Sequence, residues 1–94
     1  MNIVSLFEAI AAGGLLERVE RTRIEDITVS TVLTRDAGYE TALVAAETYV
    51  VERYADREQA VAGHAAWVRR IESGERTFTD VGYGSLKAPQ EFCL

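Results

Sequence analysis

His64 is the single histidine of this sequence, so any imidazole chemistry depends on it. It lies on an apolar stripe with helical spacing, which favours a buried histidine that hydrogen-bonds to a carbonyl or hydroxyl of a neighbouring strand. A hydrolytic triad would also need a nucleophile and a carboxylate within hydrogen-bond reach. Ser30, Glu40 and Cys93 have suitable chemistry, but no nucleophile-elbow motif surrounds them. We therefore predict a protein without catalytic residues, and not an enzyme.

Metal and cofactor sites are not predicted either. One histidine, one cysteine and scattered carboxylates match no zinc or EF-hand spacing. The segment Gly82-Tyr83-Gly84 has only a G-x-G pattern and does not precede a predicted helix, so it indicates a turn rather than a phosphate-binding loop. We expect no cofactor.

Three glutamates follow the turn at Arg35–Gly38. Alternation puts Glu40 and Glu52 on the side of the sheet away from Leu43 and Val51, and with Glu47, in the connection between the two strands, they would line one side of the sheet. These glutamates form either a solvated face or an acidic platform for the basic surface of a partner. Aromatic residues near them are typical of a core, although tyrosine and tryptophan also dominate interfaces. The candidate partner-binding residues are Glu40, Glu47, Glu52, Tyr49, Tyr54, His64 and Trp67.

The length of 94 residues fits one domain over 1–94, with a core over about 15–74 and a tail over about 85–94 that we expect to be mobile. With 48% apolar and 27% charged residues, the composition is that of a globular protein. A formal charge of −5 argues against direct nucleic-acid binding, and the single cysteine excludes an internal disulfide. No apolar run approaches the roughly 20 residues of a membrane span, so we expect no membrane partner.

Alternating β-branched residues predict most of the sheet. The clearest strand is Ile27–Thr34, followed by a turn with Gly38 at a positive φ and by strands over Tyr39–Ala45 and Tyr49–Tyr54. The charged segment Leu15–Ile24 fits an exposed helical turn or an edge strand, and we favour the strand. Thr77–Thr79 and Val81–Tyr83 indicate a further short strand.

Two helices are predicted. Asp56 is a good N-cap for a helix that ends at Ser73, with Gly74 as its left-handed cap. A short N-terminal helix is indicated by the S-x-x-E spacing of Ser5 and Glu8 before Gly13-Gly14. The sum is an α+β fold in which one main helix packs on an antiparallel sheet of three to four strands.

Four short motifs in a fixed order resemble a group of small proteins encoded by tailed bacteriophages and prophages. They are Val29-Ser30-Thr31-Val32, Tyr39-Glu40-Thr41, Glu52-Arg53-Tyr54 and Ala60-Val61-Ala62-Gly63-His64, and the resemblance covers about residues 27–72. The chain departs from that group in its short turn at Arg35–Gly38, in Tyr39 for the usual phenylalanine and in Gln59 for the usual glutamate. The resemblance implies a phage context and an α+β fold, and supplies no catalytic residue.

The leading functional hypothesis is a non-enzymatic phage or prophage accessory protein. It would bind and occlude a bacterial host protein in the host cytoplasm, as host-takeover and anti-defence proteins do, including inhibitors of nucleic-acid-guided (CRISPR-type) nucleases. One alternative is a homo-oligomeric virion or assembly component, with a subunit contact through Glu17–Ile24 and the N-terminal helix. Another is a small-ligand-binding protein that uses His64.

Overall fold

A four-stranded antiparallel sheet covered by one helix dominates the fold. The computed structural model describes residues 15–35, 37–81 and 89–94. In this part of the chain the α+β architecture is confirmed. The strands have the spatial order β1-β2-β3-β4 and the helix, α1, packs across all four; a second, two-stranded antiparallel sheet consists of β5 and β6. The elements are β1 (Leu15–Ile24), β2 (Ile27–Thr34), β3 (Gly38–Val44), β4 (Thr48–Tyr54), α1 (Arg57–Glu72), β5 (Thr77–Asp80) and β6 (Gln90–Cys93).

The ends of α1 follow the capping residues of the sequence. The side chain of Asp56 accepts a hydrogen bond from the Gln59 amide at 2.8 Å, which satisfies a donor that the first helical turn leaves open. At the other end Gly74 has a φ of 95°, a left-handed conformation that costs glycine little. The helix predicted from Asp56 to Ser73 is therefore confirmed.

Both faces of the main sheet are buried. The helix-side face, which α1 covers, contributes Ile27, Val29, Leu43 and Val51 to a core with Trp67, Ile71 and Phe78. The opposite face, called here the far face, carries a second core of Val32, Ala42, Val44 and Val50, against which Leu15 and Val81 pack. The expectation of a solvated sheet face is wrong, because Glu40 on the far face is only 1% exposed.

Two irregularities in β1 decide which way its charged side chains point. The register shifts between Leu15 and Glu17 and again between Arg18 and Glu20, and each shift moves the residues that follow to the opposite face from the one that alternation predicts. Directly paired residues of antiparallel strands share a face. The register therefore puts Glu17, Glu20 and Thr22 on the helix-side face and Arg18, Arg21 and Arg23 on the far face.

The carboxyl-terminal segment differs from its prediction. Gln90–Cys93, which lie in the segment expected to be a mobile tail, pair with Thr77–Asp80 as β6, a strand that was not predicted. Phe92 explains why, since its ring stacks on Tyr49 with a centroid distance of 3.8 Å and also contacts Phe78. The predicted N-terminal helix and the Gly82-Tyr83-Gly84 turn lie outside the described residues.

Candidate functional site

A chain of polar side chains runs across the helix-side face, beneath α1, with His64 at its centre. The Nδ1 atom of His64 lies 2.7 Å from Thr31 Oγ1, and Thr31 Oγ1 lies 2.6 Å from Thr41 Oγ1. The Tyr54 hydroxyl donates to Thr41 Oγ1 at 2.9 Å. At the other end, His64 Nε2 lies 3.1 Å from a carboxylate oxygen of Glu20. We call these five residues the His64 hydrogen-bond chain.

The partners of the chain fix the direction of its hydrogen bonds. A carboxylate only accepts, so the proton of neutral His64 lies on Nε2, facing Glu20 and also Thr22 Oγ1 at 2.9 Å. Nδ1 then accepts from the Thr31 hydroxyl, and Thr31 accepts from Thr41, which accepts from Tyr54. Every hydroxyl of the chain therefore donates once in the same direction, from β4 toward β1.

Burial shifts the pKa of the titratable groups within the chain. Desolvation lowers the pKa of His64 below its ordinary value of 6.5, and the Glu20 carboxylate opposes this shift only in part. For Tyr54, desolvation raises the pKa to about 12, despite the opposing hydrogen bond with Thr41. Both groups are therefore neutral at pH 7, as the direction of the hydrogen bonds requires.

The order carboxylate, imidazole, hydroxyl is also that of a hydrolytic triad, but this arrangement has no reachable nucleophile. Thr31 and His64 are both 0% exposed, and the Thr31 hydroxyl is already occupied by His64 Nδ1 and Thr41. A nucleophile must approach a substrate carbonyl. The chain instead fixes the position of α1 on the sheet. The sequence indicated a hydrogen bond from His64 to a neighbouring strand, and the structure has contacts at both of its ring nitrogens.

The glycine before His64 allows this close approach of helix and sheet. A Cβ atom added at Gly63 would overlap the Cε1, Cζ and hydroxyl atoms of the Tyr54 side chain. Glycine at this position therefore leaves room for the Tyr54 ring to reach Thr41 beneath α1. Gly63-His64 belongs to one of the four short motifs of the sequence, and its contacts with Tyr54 and Thr31 follow from the register of the sheet.

The three predicted carboxylates do not form one acidic platform. Glu40 lies on the far face, while Glu52 accepts a 2.8 Å hydrogen bond from the Trp67 indole on the helix-side face. The cause is a register shift in β4, where Thr41 pairs with Glu52 and Ala42 pairs with Val50. The remaining carboxylate, Glu47, lies in the β3–β4 turn and accepts from the Tyr49 hydroxyl at 3.1 Å.

Glu40 is a buried carboxylate whose charge and hydrogen-bonding capacity are only partly matched by its neighbours. Arg53, its cross-strand neighbour, approaches with Nε at 3.5 Å from Oε2. Among the described residues, the Oε2 atom nevertheless has no hydrogen-bond partner, and neither does Ser30 Oγ on the same face. Desolvation therefore raises the pKa of Glu40 above its ordinary 4.5, although Arg53 acts in the opposite direction.

The aromatic candidates contribute to a cluster between α1, β4 and the second sheet. Trp67 is 5% exposed and meets Phe78 edge-on at 5.5 Å, with the Arg70 guanidinium 4.0 Å from the indole centroid. Tyr49 stacks on Phe92. These contacts assign a packing role to Trp67 and Tyr49, and they leave neither ring projecting alone from the surface.

A charged feature that sequence reasoning missed lies on β1. Arg18, Arg21 and Arg23 are all exposed and point to the far face; we call them the β1 arginine row. Their β2 partners are Val32, Ser30 and Thr28, which are every second residue of a regular strand. The register shift between Arg18 and Glu20 therefore puts Arg18 on the same face as Arg21 and Arg23, at the spacing of an ordinary ladder. The run of alternating charges was visible in the sequence, but the shift that separates arginines from glutamates was not.

The two edges of the main sheet differ. On β4 the Val50 carbonyl accepts a 2.8 Å bond from the Val81 amide, so this edge has a partner beyond the sheet. Among the described residues, β1 pairs with β2 alone, so the other edge of β1 has no strand partner there. Leu16, at the start of β1, is 54% exposed. The β1 edge therefore offers backbone groups, an apolar side chain and the β1 arginine row side by side.

Within the described ranges, no group of three or more histidine, cysteine, aspartate or glutamate side chains is arranged to hold a metal ion. The helix in that same part of the chain is too short and too polar to cross a membrane. Comparison with known proteins found no matching family model, no matching curated protein and no matching solved structure.

Proposed function

We propose that this chain is a small, non-enzymatic binding protein that presents the edge of β1 to a partner protein. The observation that carries the proposal is the β1 arginine row beside a strand edge that has no partner among the described residues, in a chain whose formal charge is −5. Exposed edge strands offer unpaired N–H and C=O groups that can bind an added strand. Arginine adds bidentate pairing with carboxylates, which fixes the register of such a complex.

The proposed partner is a bacterial host protein, and the proposed place of action is the host cytoplasm. This part of the proposal is supported by the resemblance of residues 27–72 to small proteins of tailed phages and prophages. Binding would act by occlusion, since a strand added to β1 covers the partner's own surface. Host takeover and anti-defence are the biological roles that fit such a mode of action.

The alternative of a homo-oligomer through β1 has an electrostatic obstacle. In an antiparallel, two-fold pairing of two β1 edges, the far faces of both sheets become continuous. The β1 arginine row of one copy would then face that of the other, and like charges directly opposite are destabilising. The alternative of a small-ligand site at His64 is disfavoured because protein groups occupy both ring nitrogens.

Photo-crosslinking from two exposed apolar positions tests the proposal. A photoreactive amino acid replaces Leu16 on β1 in one variant and Val61 on α1 in the other, which are 54% and 43% exposed. In lysate of a bacterial host, the variant at position 16 should yield one specific adduct that position 61 does not. The adduct should disappear with Arg21→Glu. Equal adducts from both positions, or none from position 16, would show that β1 is not the binding edge.

A further inference from the structure

We infer that the segment bound by β1 is an extended strand with carboxylates at every second residue and uncharged residues between them. This inference rests on the proposed binding at the β1 edge and specifies its partner. It follows from how the register distributes charge over the two faces of one strand. Each face of β1 would meet alternate side chains of an added strand.

The far face supplies the attraction. Arg18, Arg21 and Arg23 oppose every second residue of β2, so a strand added on the other side would bring every second side chain alongside the row. A guanidinium has five N–H donors, so one internal contact does not exhaust it. The bond from Arg23 Nε to the Glu25 carbonyl uses one donor, and Arg18 also has an interaction within the chain. Glutamate or aspartate at these alternate positions can form bidentate, charge-assisted pairs.

The helix-side face determines which residues suit the intervening positions of the added strand. There Glu17 is bound by Arg57, with Nε and Nη2 of the guanidinium at 3.1 and 3.0 Å from Oε2, and Glu20 is bound by His64. These carboxylates already have partners, so a basic residue opposite them is not required. An acidic residue there would be repelled. Alternation of acidic and uncharged residues is therefore the pattern that fits both faces.

A continuous nucleic-acid strand fits this edge less well. Its phosphates follow one another at every unit and cannot avoid the glutamates of the helix-side face, nor Glu25 at the β1–β2 turn. The negative charge of the whole chain adds to this repulsion. An acidic protein segment in extended form places its charges on one side alone, as the β1 arginine row requires.

Two peptides of equal composition test the inference. One nine-residue probe has glutamate at every second position and threonine between; its isomer has the same residues with all glutamates consecutive. Fluorescence anisotropy at low ionic strength should give a Kd at least about tenfold lower for the alternating probe. The isomer can also place three glutamates opposite the row, but the two glutamates between them would then face the carboxylates of the helix-side face and be repelled. Chemical-shift changes in the NMR spectrum should concentrate on β1.

Charge-reversal variants supply the controls. Arg21→Glu should weaken binding of the alternating probe by at least about tenfold, and Arg21→Gln by less, whereas Arg69→Glu on the exposed side of α1 should leave it unchanged. Equal affinity for the two isomers, or equal loss in Arg21→Glu and Arg69→Glu, would overturn the inference. Tighter binding of a single-stranded oligonucleotide than of the alternating probe would also overturn it. So would a dimer that dissociates on Arg21→Glu.

The inference and the proposed function fail in different ways. If position 16 crosslinks to a host protein but the two peptides bind equally, the β1 edge is the binding site and the acidic pattern is wrong. If neither crosslinking from position 16 nor peptide binding is observed, the proposed function itself is wrong.

Discussion

The Nδ1 atom of His64 lies 2.7 Å from Thr31 Oγ1, and both side chains are fully buried. This contact joins the middle of α1 to the middle of β2, on the same face of the sheet as the core residues Val29 and Leu43. Buried polar groups specify one arrangement of the elements, because every other arrangement leaves them without partners. The His64–Thr31 contact thus fixes how far α1 can slide along the sheet.

Replacing Thr31 with valine should reveal the strength of this contact. Valine keeps the shape but leaves His64 Nδ1 without a donor and Thr41 without an acceptor, so the free energy of unfolding should fall by about 1–3 kcal/mol. Urea unfolding followed by the fluorescence of Trp67, the single tryptophan, provides the measurement. Thr79→Val, at an exposed position of β5, is the matched control and should change stability by less than about 0.5 kcal/mol. Equal effects of the two variants would contradict the structural role of Thr31.

Acid should weaken the fold through His64. Its folded-state pKa lies below the ordinary 6.5, so the unfolded chain binds the proton more readily. The stability due to the neutral imidazole is present above pH 6.5 and is lost as the pH falls toward the folded-state pKa. The difference in unfolding free energy between wild type and His64→Gln should therefore shrink from about pH 7.5 to about pH 5.5. A difference that grows over this interval would show that His64 is charged in the folded state.

Glu40 should act in the opposite sense. Burial raises its folded-state pKa above 4.5, so its protonated form contributes stability that is lost as the pH rises through the folded-state pKa. The neutral variant Glu40→Gln should avoid this loss, so its free energy of unfolding should rise relative to that of the wild type as the pH rises above 4.5. Glu91→Gln, an exposed carboxylate in β6, is the control for the change in charge. If the free energy of unfolding of Glu40→Gln instead falls relative to wild type as the pH rises, the charge of Arg53 outweighs the desolvation of Glu40.

The elements of this fold were largely predictable from local pattern. Alternating β-branched residues identified β2, and Asp56 with Gly74 delimited α1, because capping and strand propensity act within a few residues. The hydrogen bond of a buried His64 to a neighbouring strand was also predicted, because His64 lies on the apolar stripe of the helix. These features depend on residues that are close together in the chain, so the local sequence is enough to predict them.

The predicted acidic platform failed because faces were assigned by strict alternation. One extra residue in β4 turns Glu52 toward Trp67, and the shift between Arg18 and Glu20 brings the arginines of β1 onto one face. A register shift depends on the neighbouring strand and leaves little trace in the shifted strand itself. β6 was missed for a similar reason, since Gln90–Cys93 are ordered by pairing with β5 and by the stack of Phe92 on Tyr49.

Replacing Gly63 with alanine should have two opposing effects on the free energy of unfolding. Gly63→Ala improves helix propensity by about 1 kcal/mol, but its Cβ displaces the Tyr54 ring from Thr41, and such overpacking costs about 1–3 kcal/mol. We expect net destabilisation in the wild type. With Tyr54→Ala in the background the obstacle is gone, so the same Gly63→Ala change should stabilise the protein. Urea unfolding of all four proteins in a double-mutant cycle measures this coupling. If Gly63→Ala has the same effect in both backgrounds, the close approach of α1 to Tyr54 does not limit the residue at position 63.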